Sequence, residues 1–147
     1  MRLTITTQVL ASHLDVKEGF TEDLFLSLNP PFPPVRLIRF DGCSKGDQVQ
    51  LELNFILFKQ RWHSDITYDL TNEHTFQFID IGVKLPFFLK QWSHHHIVNK
   101  VDDKRSEIID DITFSSPFRL MDFILFPALY LQFLYRKPIY KKIFNKR

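Results

Sequence analysis

The chain holds one cysteine and four glycines in 147 residues. A lone Cys43 cannot close an internal disulfide, and the chain opens on no basic-then-apolar leader with a small-residue cleavage site. The expectation is an intracellular protein, by default cytoplasmic. Four scattered glycines do not make a glycine-rich phosphate cradle, which sets nucleotide-binding enzymes aside. No apolar run is long enough to span a bilayer. Residues 120–135 come nearest, but they contain Asp122, Pro127 and Gln132 and fall short of the about twenty apolar residues a span requires. No internal repeat, low-complexity tract or change of composition divides the chain, so one domain over residues 1–147 is expected. A domain of this size can bury a core without help from a metal or a disulfide.

Phenylalanine, by contrast, is abundant, at sixteen residues. Aromatic side chains carry large apolar area on few rotatable bonds, which suits a dense core or the wall of a wide cavity. Charge is uneven. Arg136, Lys137, Lys141, Lys142, Lys146 and Arg147 fall in the last twelve residues with no acid among them, and the rest of the chain is net acidic. A terminal cluster of this kind is ordinarily solvated. No nucleic-acid partner is expected, while a peripheral contact with an anionic membrane stays open.

Residues 2–10 alternate and are rich in β-branched side chains, the pattern of a strand. Asp15 as N-cap and Glu18 as its capping-box partner predict a helix to about Leu28, with Phe20, Leu24 and Leu28 on one stripe. Four prolines in residues 29–35 then enforce a stiff, extended connector. Strands follow at 35–40 and 48–58, separated by turns at Asp41-Gly42 and residues 45–47. In the second, Val49, Leu51, Leu53, Phe55 and Leu57 share one face. The strand at 60–70 places Trp62, Ser64, Ile66, Tyr68 and Leu70 inward. Further strands are predicted at 74–81, 87–101 and 106–114.

After Pro117 the period changes to that of a long helix over residues 118–144, kinked at Pro127 and restarted or broken at Pro138. It is apolar nearly all round, so more than one of its faces should be covered. A cavity, a homodimer seam and a membrane surface are all open as covers. Arg136 could reach a ligand carboxylate, but solvation or pairing with the helix dipole is the ordinary role of such a residue.

This order of elements, with its motifs, resembles the SRPBCC superfamily. "RWHSDIT" (61–67) is similar to the R-W-x-S-x-I-T strand of a branch of bacterial SRPBCC ligand-binding proteins, "FID" (78–80) to its F-V-D, and "GVKLPFFLKQWSHHH" (82–96) to its G-x-x-x-P…W-x-H-x-H segment. "IDDITFSSP" (109–117) resembles D-x-V-x-Y-x-x-P with Phe114 in place of Tyr, "FLYRKPIY" (133–140) resembles the F-x-Y-R of the closing helix, and Val98 stands where that branch often has Phe. The resemblance implies an α+β, START-like helix-grip fold: a curved antiparallel sheet of about six to seven strands wrapped around a long C-terminal helix, with an apolar ligand cavity between them. It selects no single role, because members include lipid carriers, hormone receptors, cyclases and co-chaperones.

Three consecutive histidines, residues 94–96, pose the chemical question. Residues two apart on a strand share a face, so Trp92, His94 and His96 point one way and His95 the other. By the same parity Phe78 goes with Asp80, and Asp110 with Ile108, Ile112 and Phe114. If the three strands are neighbours, Asp80, His94, His96 and Asp110 converge under the helix. A buried carboxylate needs a donor, and imidazole supplies one. The set could be a satisfied His-Asp pair that fixes register, a polar anchor for the head of an apolar ligand, a metal site lacking the local spacing of closed zinc sets, or a general acid-base pair with no accompanying nucleophile.

Trp62, Tyr68 and Trp92 are core by default, and the excess of Phe favours a cavity wall. The expected binding set is therefore Trp62, Ser64, Tyr68, Phe78, Asp80, Trp92, His94, His96, Asp110 and Phe114, for a hydrophobic small molecule such as a lipid or aromatic metabolite, with no cofactor and no metal. A cyclase- or isomerase-like enzyme using the His-Asp pair is the alternative, and a membrane-surface or interaction protein acting through the C-terminal helix and basic tail is the third reading.

Overall fold

Strand β1 (Arg2–Val9) alternates exposed and buried residues along its whole length, putting Leu3, Ile5, Thr7 and Val9 on the covered side. The computed structural model describes residues 1–146 and continues with α1 (His13–Glu18), α2 (Glu22–Ser27), β2 (Val35–Phe40), β3 (Gln48–Asn54), β4 (Lys59–Thr71), β5 (Thr75–Lys84), β6 (Gln91–Asp102), β7 (Arg105–Ser115), α3 (Arg119–Leu134) and α4 (Arg136–Phe144). The seven strands form one curved antiparallel sheet in the order β1-β7-β6-β5-β4-β3-β2. Consecutive strands from β2 to β7 are neighbours, and β1 closes the sequence by pairing with β7.

The expected helix through residue 28 is two helices. Ser12, not Asp15, is the first N-cap: its hydroxyl accepts from the Asp15 amide and donates to the Asp15 carboxylate. α1 ends at Gly19, where the Phe144 ring occupies the space a Cβ would need, and Thr21 caps α2. Phe20, between them, packs on Phe76 and Phe78.

Two strand expectations are corrected. The strand placed at 48–58 stops at Asn54. Residues 55–58 form a turn in which the Asn54 side chain accepts from the Ile56 amide, and Leu57, expected inward, is 92% exposed. In β4 the register with β5 shifts between Ile66 and Tyr68, so Thr67 is an inserted residue and every side chain beyond it changes face. Tyr68 and Leu70, expected inward, are exposed. Asp69, opposite Phe78 and also exposed, accepts from the Lys45 amide.

The C-terminal helix is also two pieces. Pro138 lacks the N–H that would continue the ladder to Leu134, and α3 ends there; in α4 the same proline sits in the first turn, where no donor is required. Pro127 lies inside α3 without ending it. The helix is not covered on several faces. Phe133 packs with Leu3, Ile5, Trp92, Ile112 and Phe114, and Tyr140 and Phe144 of α4 pack with Val9, Val16, Phe76, Phe78, Val98 and Ile108. Leu120, Phe123, Ile124 and Leu131 remain exposed.

Candidate functional site

The helices cover the β1-β7-β6 half of the concave face and leave the rest facing a cavity of about 590 Å³. Val49, Leu51 and Leu53 of β3 and Trp62, Ser64 and Ile66 of β4 form its floor, while Leu125, Ala128 and Leu129 of α3 form its roof. The α1–α2 segment and the prolines at 30–33 close the far side. A volume of this order is that of a small-molecule site.

One cluster of polar groups interrupts this apolar wall. Antiparallel pairing sets Asp80 of β5 opposite His94 of β6, and His96 opposite Asp110 of β7, all on the inner face. His96 Nε2 lies 2.9 Å from Asp80 Oδ2, and His94 Nε2 lies 2.9 Å from Asp110 Oδ1. A carboxylate only accepts, so both imidazoles donate through Nε2, and Nδ1 is the remaining ring atom of each. The Trp92 indole N–H donates to the other Asp80 oxygen at 3.1 Å. His94 Nδ1 is 3.6 Å from Asp80 Oδ2, so this ring sits between both carboxylates.

The electrostatics follow from burial. Desolvation alone would raise the Asp80 pKa, but the His96 hydrogen bond and the neighbouring imidazoles outweigh it and hold the carboxyl below its usual range. Asp110 behaves alike: burial opposes ionisation, and the His94 hydrogen bond, His94 charge and Arg136 charge overcome it. Burial and then the proximity of His94 push His96 down to about 4, against the pull of Asp80, so it is neutral at pH 7. Its ring stacks on Phe78 at 4.1 Å between centroids.

Asp80, His94 and His96 bring three donor atoms within 4.8 Å of one another, which raises the question of a cation. Two imidazoles sharing one ion at a bond length of about 2.1 Å hold their ring centroids about 4.5 Å apart or more. Here the ring centroids lie 3.5 Å apart, and each ring already spends Nε2 on a carboxylate. The arrangement fits protons between the partners better than a metal.

Of the ten residues named from the sequence, Trp62, Ser64, Phe78, Asp80, Trp92, His94 and His96 reach the cavity wall. Asp110 and Phe114 lie behind it, with Asp110 under His94 and Phe114 in the α3 core. Tyr68 lies outside altogether, for the reason given by the Thr67 insertion. His95 faces the other side of the sheet and bonds Gln77.

Arg136, which the sequence leaves between a ligand carboxylate and a helix dipole and outside the expected binding set, lines the cavity. It opens α4 rather than ending a helix, so pairing with a helix C-terminus is not its role. Its guanidinium lies 4.2 Å from the Phe133 ring centroid and 3.7 Å from Asp110 Oδ1, beside the cavity. Pro138, two residues on, is the signal that could have placed Arg136 at a helix start. Tyr140 is fully buried near the same carboxylate, its ionisation suppressed by burial and then by the charge of Asp110. Cys43 also lines the cavity, but burial, Asp47 and Asp80 push its thiol up to about 12, so it is no nucleophile at neutral pH.

No family model matches the chain, and no curated protein matches it. Solved structures do. The Zhui aromatase/cyclase from Streptomyces sp. R1128 superposes with a TM-score of 0.69 over 94% of this chain and 89% of its own, at 13% identity. A START superfamily protein from Mycobacterium smegmatis gives 0.61 over 93% and 97%, at 11% identity. The fold is the START-like helix grip. Norcoclaurine synthase from Thalictrum flavum, in complex with dopamine and hydroxybenzaldehyde, shares the helix grip with a TM-score of 0.59 at 13% identity, covering 91% of this chain and 82% of its own. In the present helix grip, the gripping element is α3 with α4, and the polar cluster sits where β5, β6 and β7 pass beneath their junction.

Proposed function

We propose that the protein binds a hydrophobic small molecule, an aromatic metabolite or a lipid, between α3 and the β2–β5 half of the sheet. The carrying observation is the cavity of about 590 Å³, mostly apolar, in which Asp80, His94 and His96 converge with Ser64 and Arg136 beside them, while Thr21, Asn29 and Gln132 stand singly elsewhere on the wall. Few and convergent polar groups in an apolar wall orient a ligand by one end. Ser64 Oγ accepts from the Trp62 indole and keeps its own proton to donate. The aromatic ligands of the norcoclaurine synthase complex support an aromatic occupant on the same fold.

Native mass spectrometry of protein purified from its own cells tests this reading. A co-purified apolar mass of one ligand per chain is expected; protein of bare mass that also takes up no apolar ligand on titration contradicts it.

A second reading has one observation in its favour. His96 is neutral, is oriented by Asp80 and lines the cavity, the state required of a general base. With the aromatase/cyclase among the structural neighbours, proton transfer on a bound aromatic or pre-aromatic substrate is the corresponding activity. A substrate analogue bound within hydrogen-bond reach of the His96 imidazole is its expected sign; an analogue seated with only apolar wall against its acidic carbon contradicts it.

A further inference from the structure

At one end of the sheet β3, β5 and β7 finish and β2, β4, β6 and α3 begin, which gathers residues 28–34, 55–58, 85–90 and 116–118 together. These tips are apolar and bare. Ile56 is 81% exposed and Leu57 92%, and Phe32, Phe87, Phe118 and Leu120 are each more than half exposed. Aromatic contacts join several of them into one surface: Phe55 lies 6.3 Å from Phe32 and 5.2 Å from Phe58, and Phe58 lies 5.8 Å from Phe87. The cavity wall runs out to this surface at Phe32, Phe55 and Phe88. A contiguous apolar surface of this kind marks a contact site.

The charge around it is one-signed. Lys59, Lys84, Lys90 and Arg119 are exposed at the bases of these tips. The acids nearby are engaged: Glu52 pairs with Arg36, Lys59 and Arg61, Asp111 pairs with Arg2, and Asp122 accepts from Ser116. The opposite end, at residues 41–47, 72–74 and 102–105, mixes the signs: Asp41, Asp47, Glu73, Asp102 and Asp103 stand with Lys45, Lys104 and Arg105, and Asp41, Asp102 and Asp103 are paired with Arg39, Arg105 and Lys100.

We infer that the apolar end docks on an anionic lipid bilayer, with the tips inserted and the four cations at the headgroups. Aromatic and aliphatic side chains ringed by Lys and Arg suit the interface of such a membrane. A second copy is the poorer occupant, because an isologous contact through this end sets each cation ring against its twin. No helix among the described residues is long and apolar enough to cross the membrane, so the contact is peripheral. It differs from the tail contact weighed from the sequence. Asn145 bonds the Leu10 amide and Phe144 abuts Gly19, which puts α4 and Lys141 and Lys142 at the opposite end of the sheet; Arg147 lies outside the described residues.

Flotation of the intact protein with phosphatidylcholine vesicles, with and without phosphatidylglycerol, tests the inference and requires no ligand, so its outcome is independent of whether the cavity binds one. Wild type is expected to float with the anionic vesicles. Leu57→Glu and Phe87→Glu, at exposed positions that leave the melting temperature unchanged, each lower the bound fraction at least tenfold. Exchanging Lys59, Lys84 and Lys90 for Gln does the same at physiological salt, and exchanging Lys141 and Lys142 for Gln changes nothing. Failure of wild type to float, flotation abolished by the Lys141 and Lys142 exchange while Leu57→Glu is silent, or a dimer broken by Leu57→Glu without vesicle binding would each overturn it.

Discussion

The two halves of the concave face are built from similar side chains and end differently. Under α3 and α4, the inward residues of β1, β7 and β6 are packed: Leu3, Ile5, Val98, Ile108, Ile112 and Phe114 keep 5% or less of their surface. Across β2 to β4, inward Leu51 and Trp62 are only half buried and border the cavity beside Val49, Leu53 and Ile66, which are buried yet also line it, with α3 standing off from them. The first half holds the sheet to the helices. The second keeps space, and the His-Asp cluster of β5, β6 and β7 lies on the seam between the two. Apolar patterning alone thus does not distinguish core from cavity wall; the reach of the covering helix does.

If this division is right, truncation should cost stability unequally. Phe114→Ala, in the packed half, is expected to lose about 4 kcal/mol in chemical denaturation, from lost transfer energy and the void left behind. Equal losses in both halves would break the comparison.

The seam should be acid-sensitive. His96 stands at about 4 in the folded chain against 6.5 as its ordinary value, so between these pH values the unfolded chain binds more protons and stability falls as pH is lowered. The loss is complete near pH 4 and is about 3 kcal/mol at 1.36 kcal/mol per unit. The stabilisation from Asp80 and Asp110, whose pKa values are depressed, persists in this window and is lost only at more acid pH, below 3.8. Denaturation midpoints measured from pH 7 to pH 4 check this, and His96→Phe should flatten the slope.

Leu51→Ala, in the open half, is expected to cost about 1 kcal/mol, because its neighbours already face space. Tyr68→Ala should stay within about 0.5 kcal/mol in the same measurement, since the Thr67 insertion puts Tyr68 outside.

How much of this was legible in the sequence depended on where the strands keep register. Pairing of β5 with β6 runs without a shift from Thr75 to Ile81, so parity counting placed Asp80, His94 and His96 on one face. The same counting failed beyond Thr67, because one inserted residue leaves no mark in the alternation around Tyr68. Residues 55–58 continue the apolar pattern of β3, and nothing in that pattern signals a turn except Asn54, whose side chain holds it. The apolar end was therefore hidden inside a predicted strand. Arg136 is harder to place, because a helix restart at Pro138 fixes the first helical residue only once the proline is assigned to the third position of the first turn.

The cavity itself is tested most directly by titrating N-phenyl-1-naphthylamine, a neutral apolar fluorophore, into wild type and into Leu51→Trp/Ala128→Trp, which fills the space from floor and roof while leaving the exposed tips intact. Saturable binding of one fluorophore per wild-type chain, lost in the double variant and kept in Leu57→Glu, is the expected result. Equal binding by wild type and the filled variant, or loss with Leu57→Glu alone, would contradict an internal ligand site.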